Sequence, residues 1–145
     1  YTTSGVAYGR IVLETEDLDI PDPDVDIDLY VLNSAGEVVG ASTAGGTNEL
    51  IDLLLPPDDT YTLYVHGWQT GGVDVGFTLR TFEVPLEPGT GALAIDSAPT
   101  EVSLGESTVV VASWSDLAPG TDHLGAVSHS DADGLVGLTL VEIST

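Results

Sequence analysis

The chain has 145 residues, 42% of them hydrophobic, which is enough for one domain with a real core and marginal for two. Its formal charge is −22, with Arg10 and Arg80 as the only basic side chains besides histidine, so it has no basic patch for nucleic acid or for anionic membrane surfaces. It contains no Cys, which excludes disulfides, a thiolate nucleophile and Cys-ligated zinc, and no apolar run is long enough to span a bilayer as a helix.

Taken in chain order, nearly every segment reads as a strand bounded by turns. Gly9 to Leu13 places Ile11 and Leu13 on one face. It leads into the densest acid of the chain, ETEDLDIPDPDVDIDLYVL, Glu14 to Leu32. Pro21 and Pro23 keep the start of that stretch extended and out of a helix. From Val25 the pattern alternates, with Val25, Ile27, Leu29 and Val31 to one side and Asp24, Asp26 and Asp28 to the other. Asn33 to Gly36 is turn chemistry, and Glu37 to Ala41 returns, so Val25 to Ala41 reads as a hairpin. Thr43 to Asn48 is a loop, Leu50 to Leu55 a short apolar strand, and Pro56 to Asp59 a sharp turn. Tyr61 to Trp68 is a strand with Tyr61, Leu63 and Val65 on one face and Thr62, Tyr64, His66 and Trp68 on the other. Asp74 to Val84 runs back with Val75, Phe77 and Leu79 inward.

Pro85 to Gly89 is a linker-like composition shift. After it, Leu93 to Asp96, Thr108 to Trp114, Leu124 to His129 and Leu135 to Ile143 read as strands, with Asp131 to Gly134 as a hairpin turn between the last two. Strands at this spacing with turn signals between them predict an all-β antiparallel β-sandwich, jelly-roll or fibronectin-III-like. Four strands are too few to bury a sandwich core alone. The expectation is therefore one unit over 1–145, with a sub-boundary near 85–90 separating 1–84 from 90–145. The chain begins at Tyr1 without an initiator Met and reads as a piece of a longer protein, so a missing leader says nothing about compartment.

The acidic stretch is the candidate metal site. Asp22, Asp24, Asp26 and Asp28, with Asp17 and Asp19 upstream, have the oxygen chemistry of a Ca²⁺ site. They lack the Gly and terminal Glu of a helix-loop-helix calcium loop, so a solvated acidic face stands as the alternative. Asp131 and Asp133 before Gly134 read as a plain turn. His123 and His129 are six apart, which is not the helical spacing of zinc proteases. Tyr64, His66 and Trp68 read as sheet packing, and as a platform for sugar or peptide if their face is exposed. No Ser sits in a G-x-S-x-G elbow or is tied to a His and an Asp, so no catalytic residue is assigned. A charge of −22 is most tolerable where salt or calcium screens it, as in a halophilic setting.

Residues 5 to 84, through DVDIDLYVLNSAGEVV, PPDDTYTLYVHGW and VGFTLRTFEV, resemble the bacterial pre-peptidase C-terminal domain. The likeness rests on Asp26 to Tyr30 and Thr60 to Val65, and departs at Asp59, where the family has Gly. The remainder, through Ser113-Trp114, Leu117 to Gly120, Leu124 to Val127 and Thr139 to Val141, resembles the end of the fibronectin-III-like C-terminal region of secreted subtilisin-like serine proteases. The resemblance implies a β-sandwich and a non-catalytic accessory domain of an extracellular protease. Its partners would be the parent's catalytic domain and protein substrate, and it would be associated with calcium, with Asp26 and Asp28 at the matched positions. A free-standing binding module for matrix protein or polysaccharide is the alternative, and an adhesin or surface-layer repeat the third reading.

Overall fold

The computed structural model describes residues 1–87, 89 and 92–145. Pro88, within the expected linker, and Thr90, the expected start of the second part, lie outside the described residues. The chain is all-β and divides into two compact units, Tyr1–Leu86 and Glu87–Thr145.

The first unit holds β1 (Thr2–Thr3), β2 (Val6–Leu13), β3 (Asp26–Leu32), β4 (Val38–Ser42), β5 (Glu49–Leu54), β6 (Asp59–Thr60), β7 (Thr62–Gln69) and β8 (Arg80–Pro85). A single 3-10 turn, Thr15–Asp17, follows β2. Two three-stranded antiparallel sheets form, ordered β5-β2-β8 and β4-β3-β7. The chain passes repeatedly between them, which is why neither sheet follows sequence order. A small β1-β6 ladder ties the N-terminus to the segment before β7.

Alternation along the strands builds the core. Ile27, Leu29 and Val31 of β3 meet Ile11 and Leu13 of β2 and Ile51 and Leu53 of β5, all buried. Each such side chain contributes about 1.5–3 kcal/mol on leaving water. Tyr61 joins them, and Leu63 and Val65 pack against the cluster, on the face the alternation assigned. β2, the central strand of its sheet, is buried along nearly its whole length. Its outer face carries Arg10, whose guanidinium grips Asp52 directly across on β5 with bonds of 2.7 and 3.0 Å. β4 approaches β5 so closely that a Cβ on Gly40 would stand 2.6 Å from Ile51 Cγ2.

Several expectations need correction. β3 begins at Asp26, and Asp24 lies in the preceding turn instead of on the strand face. The return strand is short, starting only at Arg80. Before it, Phe77 makes one isolated bridge to Leu18 and is left substantially exposed, while Val75 and Leu79 do pack on the core. Backbone bonds from Asp19 to Gly76 and from Thr78 to Asp17 engage this segment, so it pairs with the acidic loop and not with a full strand.

The second unit holds β9 (Leu93–Ser97), β10 (Val111–Trp114), β11 (Asp122–Asp131) and β12 (Gly134–Ser144). β9 pairs with β10, and β11 with β12 in a long hairpin. Asp131 to Gly134 is the turn of that hairpin, with the Asp133 amide bonded to Asp131 Oδ1 at 2.8 Å. None of the described residues from Glu87 onward is buried.

Candidate functional site

The acidic residues singled out by the sequence do not gather at one point. Asp17 accepts from Arg80 Nε at 3.0 Å and from the Glu14 amide at 2.8 Å, and Glu14 also bonds Arg80. Asp19 lies against Gly76. Asp22 Oδ1 accepts from the Asp24 amide at 2.9 Å, a local turn, and both side chains are exposed. Asp26 and Asp28 sit on β3, Asp26 half-buried and Asp28 buried. Asp28 is buried and faces His66 on β7, with Oδ2 3.2 Å from Nδ1. Asp26 stands where the β3–β7 register shifts, and one of its oxygens, Oδ1, is buried without a hydrogen-bond partner.

Glu49 joins this end of the sandwich, and the sequence reading did not single it out. It is the first residue of β5 and only 1% exposed, and neither carboxylate oxygen has a hydrogen-bond partner. The loop before it is tied to the start of β3. Thr47 Oγ1 donates to the Val25 carbonyl at 2.9 Å, and the Ile27 amide donates to the Gly46 carbonyl at 3.1 Å. Burial pushes the Glu49 carboxyl up, and the charges of Asp28 and Asp26 push it further. The nearby Ser42 hydroxyl and Ala44 amide pull the other way without completing a hydrogen bond. As placed, no three His, Asp or Glu side chains among the described residues stand close enough to share one metal ion. The signal that could have found Glu49 is its phase: in ELIDLL it occupies the same face as Ile51 and Leu53, a core position given to an acid.

The outer face of the β4-β3-β7 sheet carries the second feature. Tyr64 is 57% exposed and Trp68 68% exposed, with His66 between them on β7. His66 and Trp68 meet edge to face at 6.0 Å, and Tyr30 of β3 meets Tyr64 at 6.5 Å. Asp28 behind His66 fixes the imidazole from one side. The condition for a stacking platform, an exposed face, is therefore met. β7 is also the edge of its sheet, so its outward backbone groups face away from β3.

His123 Nε2 contacts the Thr121 hydroxyl at 2.8 Å, and His129 Nε2 contacts the Thr139 hydroxyl at 2.8 Å, both on the long hairpin, His123 half-buried and His129 exposed. A cleft of about 440 Å³ is lined by Asn33, Asp52, Pro57, Asp59 and Tyr61 among others. Its two carboxylates are engaged, Asp52 by Arg10 and Asp59 by the Ser34 amide and hydroxyl at 3.0 Å.

No protein-family model, no curated protein and no solved structure matches this chain.

Proposed function

We propose that the chain is a non-catalytic accessory module of an extracellular subtilisin-like serine protease and that it contacts protein substrate through the aromatic face of β7. The exposed Tyr64-His66-Trp68 row on an edge strand supports this reading best. Aromatic rings on a rigid sheet offer large contact area at little entropic cost. A neighbouring strand edge adds main-chain hydrogen bonds to any extended segment laid alongside. An edge strand favours an extended peptide over a polysaccharide, which has no matching ladder of N–H and C=O groups. The protease setting rests on the sequence resemblance, as does an extracellular location.

Binding of the pure chain to unfolded casein, and to cellulose or chitin as comparison, tests the face. Trp68→Ala and Tyr64→Ala, both exposed, are expected to weaken casein binding at least about tenfold without lowering the melting temperature, since exposed aromatic anchors carry binding and not packing. Equal binding by both variants would sink the reading. Retention on polysaccharide but not on casein would hand the face to the alternative, a carbohydrate-binding module. Turnover of casein by the chain, persisting after trace host protease is removed, would refute its non-catalytic character.

A further inference from the structure

We propose that Glu49 is an acid latch: as the neutral carboxylic acid it lets the loop 43–48 close onto the start of β3, and as the carboxylate it loosens that closure. The first unit is thereby fastened more firmly in acid than at neutral pH. The latch lies on the core face of β5 and not on the aromatic face of β7, so it is independent of any peptide binding there.

The observation that carries it is a core position given to an acid that nothing satisfies. Glu49 is 1% exposed, shares its face of β5 with the buried Ile51 and Leu53, and has no hydrogen-bond partner at either oxygen. A carboxylate so placed lacks both water and counter-charge, and a buried group of that kind takes up a proton. The elements around it do not favour the charge. β2 sets Leu13 directly across from it. On β4 the Ser42 hydroxyl already accepts from the Leu50 amide at 3.3 Å, and neither it nor the Ala44 amide completes a bond to Glu49. Asp26 and Asp28 of β3 are near enough for their negative charge to oppose another, and His66 of β7 is turned to Asp28. Beyond Leu13, Glu14 and Asp17 take Arg80, and farther along β2 Arg10 grips Asp52. Burial and the two aspartates both push the Glu49 carboxyl up, in the direction that the geometry requires.

Position couples Glu49 to the loop, since it is the first residue of β5 and follows the loop directly. Thr47 is 2% exposed and donates to the Val25 carbonyl at 2.9 Å, and the Gly46 carbonyl accepts from the Ile27 amide at 3.1 Å. Asn48 Oδ1 accepts from the Thr15 amide at 2.9 Å. These bonds draw the chain in and bring Glu49 under cover. An ionised Glu49 regains water only by backing out, and the bonds of the three residues before it are the ones that this movement breaks. The sign follows from the tighter proton binding of the buried acid. Its stabilising effect is fully present below the ordinary 4.5 and is lost as pH rises through the folded value.

The test is thermal unfolding and amide hydrogen exchange of the whole chain from about pH 4 to about pH 8. Salt is held fixed, and chelator is present so that no metal ion stands in for the proton. Relative to Glu49→Gln, which is neutral throughout, the wild type is expected to lose at least about 3 °C of melting temperature across that range. Protection of the Ile27 amide, corrected for intrinsic exchange, is expected to fall at least about tenfold in the wild type and to stay level in the variant. Glu49→Leu, which matches its neighbours Ile51 and Leu53, is expected to stay level too and stands in should Glu49→Gln fail to fold. His66→Gln, which removes the imidazole beside Asp28, is expected to keep the wild-type fall. A melting difference that does not change with pH would overturn the proposal, as would equal loss of Ile27 protection in the wild type and the Glu49 variants. A pH dependence that disappears with His66 and survives the loss of Glu49 would overturn it as well.

Discussion

Single side chains in this protein act mainly through the few partners that so acidic a chain supplies. Arg10 and Asp52 form a two-bond pair on the outer face of the first sheet, with Tyr8 bonded to the same guanidinium at 3.3 Å. Burial works to raise the Asp52 carboxyl, but the bonds from Arg10 and Tyr8 outweigh it and hold the group below its ordinary 3.8. A depressed carboxyl contributes stability above its unfolded value and loses it as pH falls through the folded value. Asp52→Asn is therefore expected to cost roughly 1 kcal/mol at neutral pH. The gap to wild type should narrow as pH drops below 3.8. Urea midpoints across that range check this, and a gap independent of pH would contradict it. Packing supplies a second residue-scale case. Gly40→Ala places a methyl 2.6 Å from Ile51 Cγ2 inside the β4–β5 contact, with an expected loss of about 1–3 kcal/mol in urea unfolding.

Strands differ in what they contribute because burial is confined to a few of them. β3 sits in the middle of its sheet and sends Ile27, Leu29 and Val31 into the core. Leu29→Ala is expected to cost about 2–5 kcal/mol by denaturant unfolding, the range for a large-to-small change at a fully packed site. The hairpin β11–β12 is longer but has no buried residue. Val136→Ala, at an exposed position, should stay within about 0.5 kcal/mol of wild type. Equal costs at the two positions would mean that the hairpin carries a core of its own. The same contrast separates the faces of β7: Leu63 and Val65 anchor it, and Tyr64, His66 and Trp68 are left to meet a ligand.

At the scale of the whole molecule, charge and uneven burial dominate. With a net charge of −22, self-repulsion weakens the folded state at low ionic strength and is screened over about 10 Å at 0.1 M salt. The thermal midpoint is expected to rise between low salt and roughly 1 M NaCl, and a flat or falling midpoint would refute this. Sulfate is unsuited to the comparison because it also stabilises by exclusion. All the buried hydrophobic residues described lie between Val6 and Tyr61. A fragment of residues 90–145 is therefore expected not to fold cooperatively, and the intact chain to show one calorimetric transition. Two resolved transitions, or a folded fragment, would show that the second unit stands by itself.

The sequence alone determined the all-β class, most strands to within a few residues, and the inward faces of β3 and β7. A strand repeats every two residues, so one-sided burial is written directly into neighbouring letters, as in Val25 to Val31 and Tyr61 to Val65. It also marked Tyr64, His66 and Trp68 as sharing a face, but exposure of that face depends on what covers the sheet, which no local pattern records. Phe77 shows the same limit, since its alternation is regular and its strand partner is missing. The acidic stretch shows it most plainly. Six aspartates close in sequence are separated in space, because Arg80, 63 residues away, takes Asp17, while a turn takes Asp22 and Asp24. Glu49 is remote from them in sequence, and the loop before it is tied to the start of β3 by the Thr47–Val25 and Ile27–Gly46 hydrogen bonds. Periodicity reports which way a side chain points within its strand. Which strands lie together, and so which charges must share a buried space, is decided by the order in which the two sheets take up the chain.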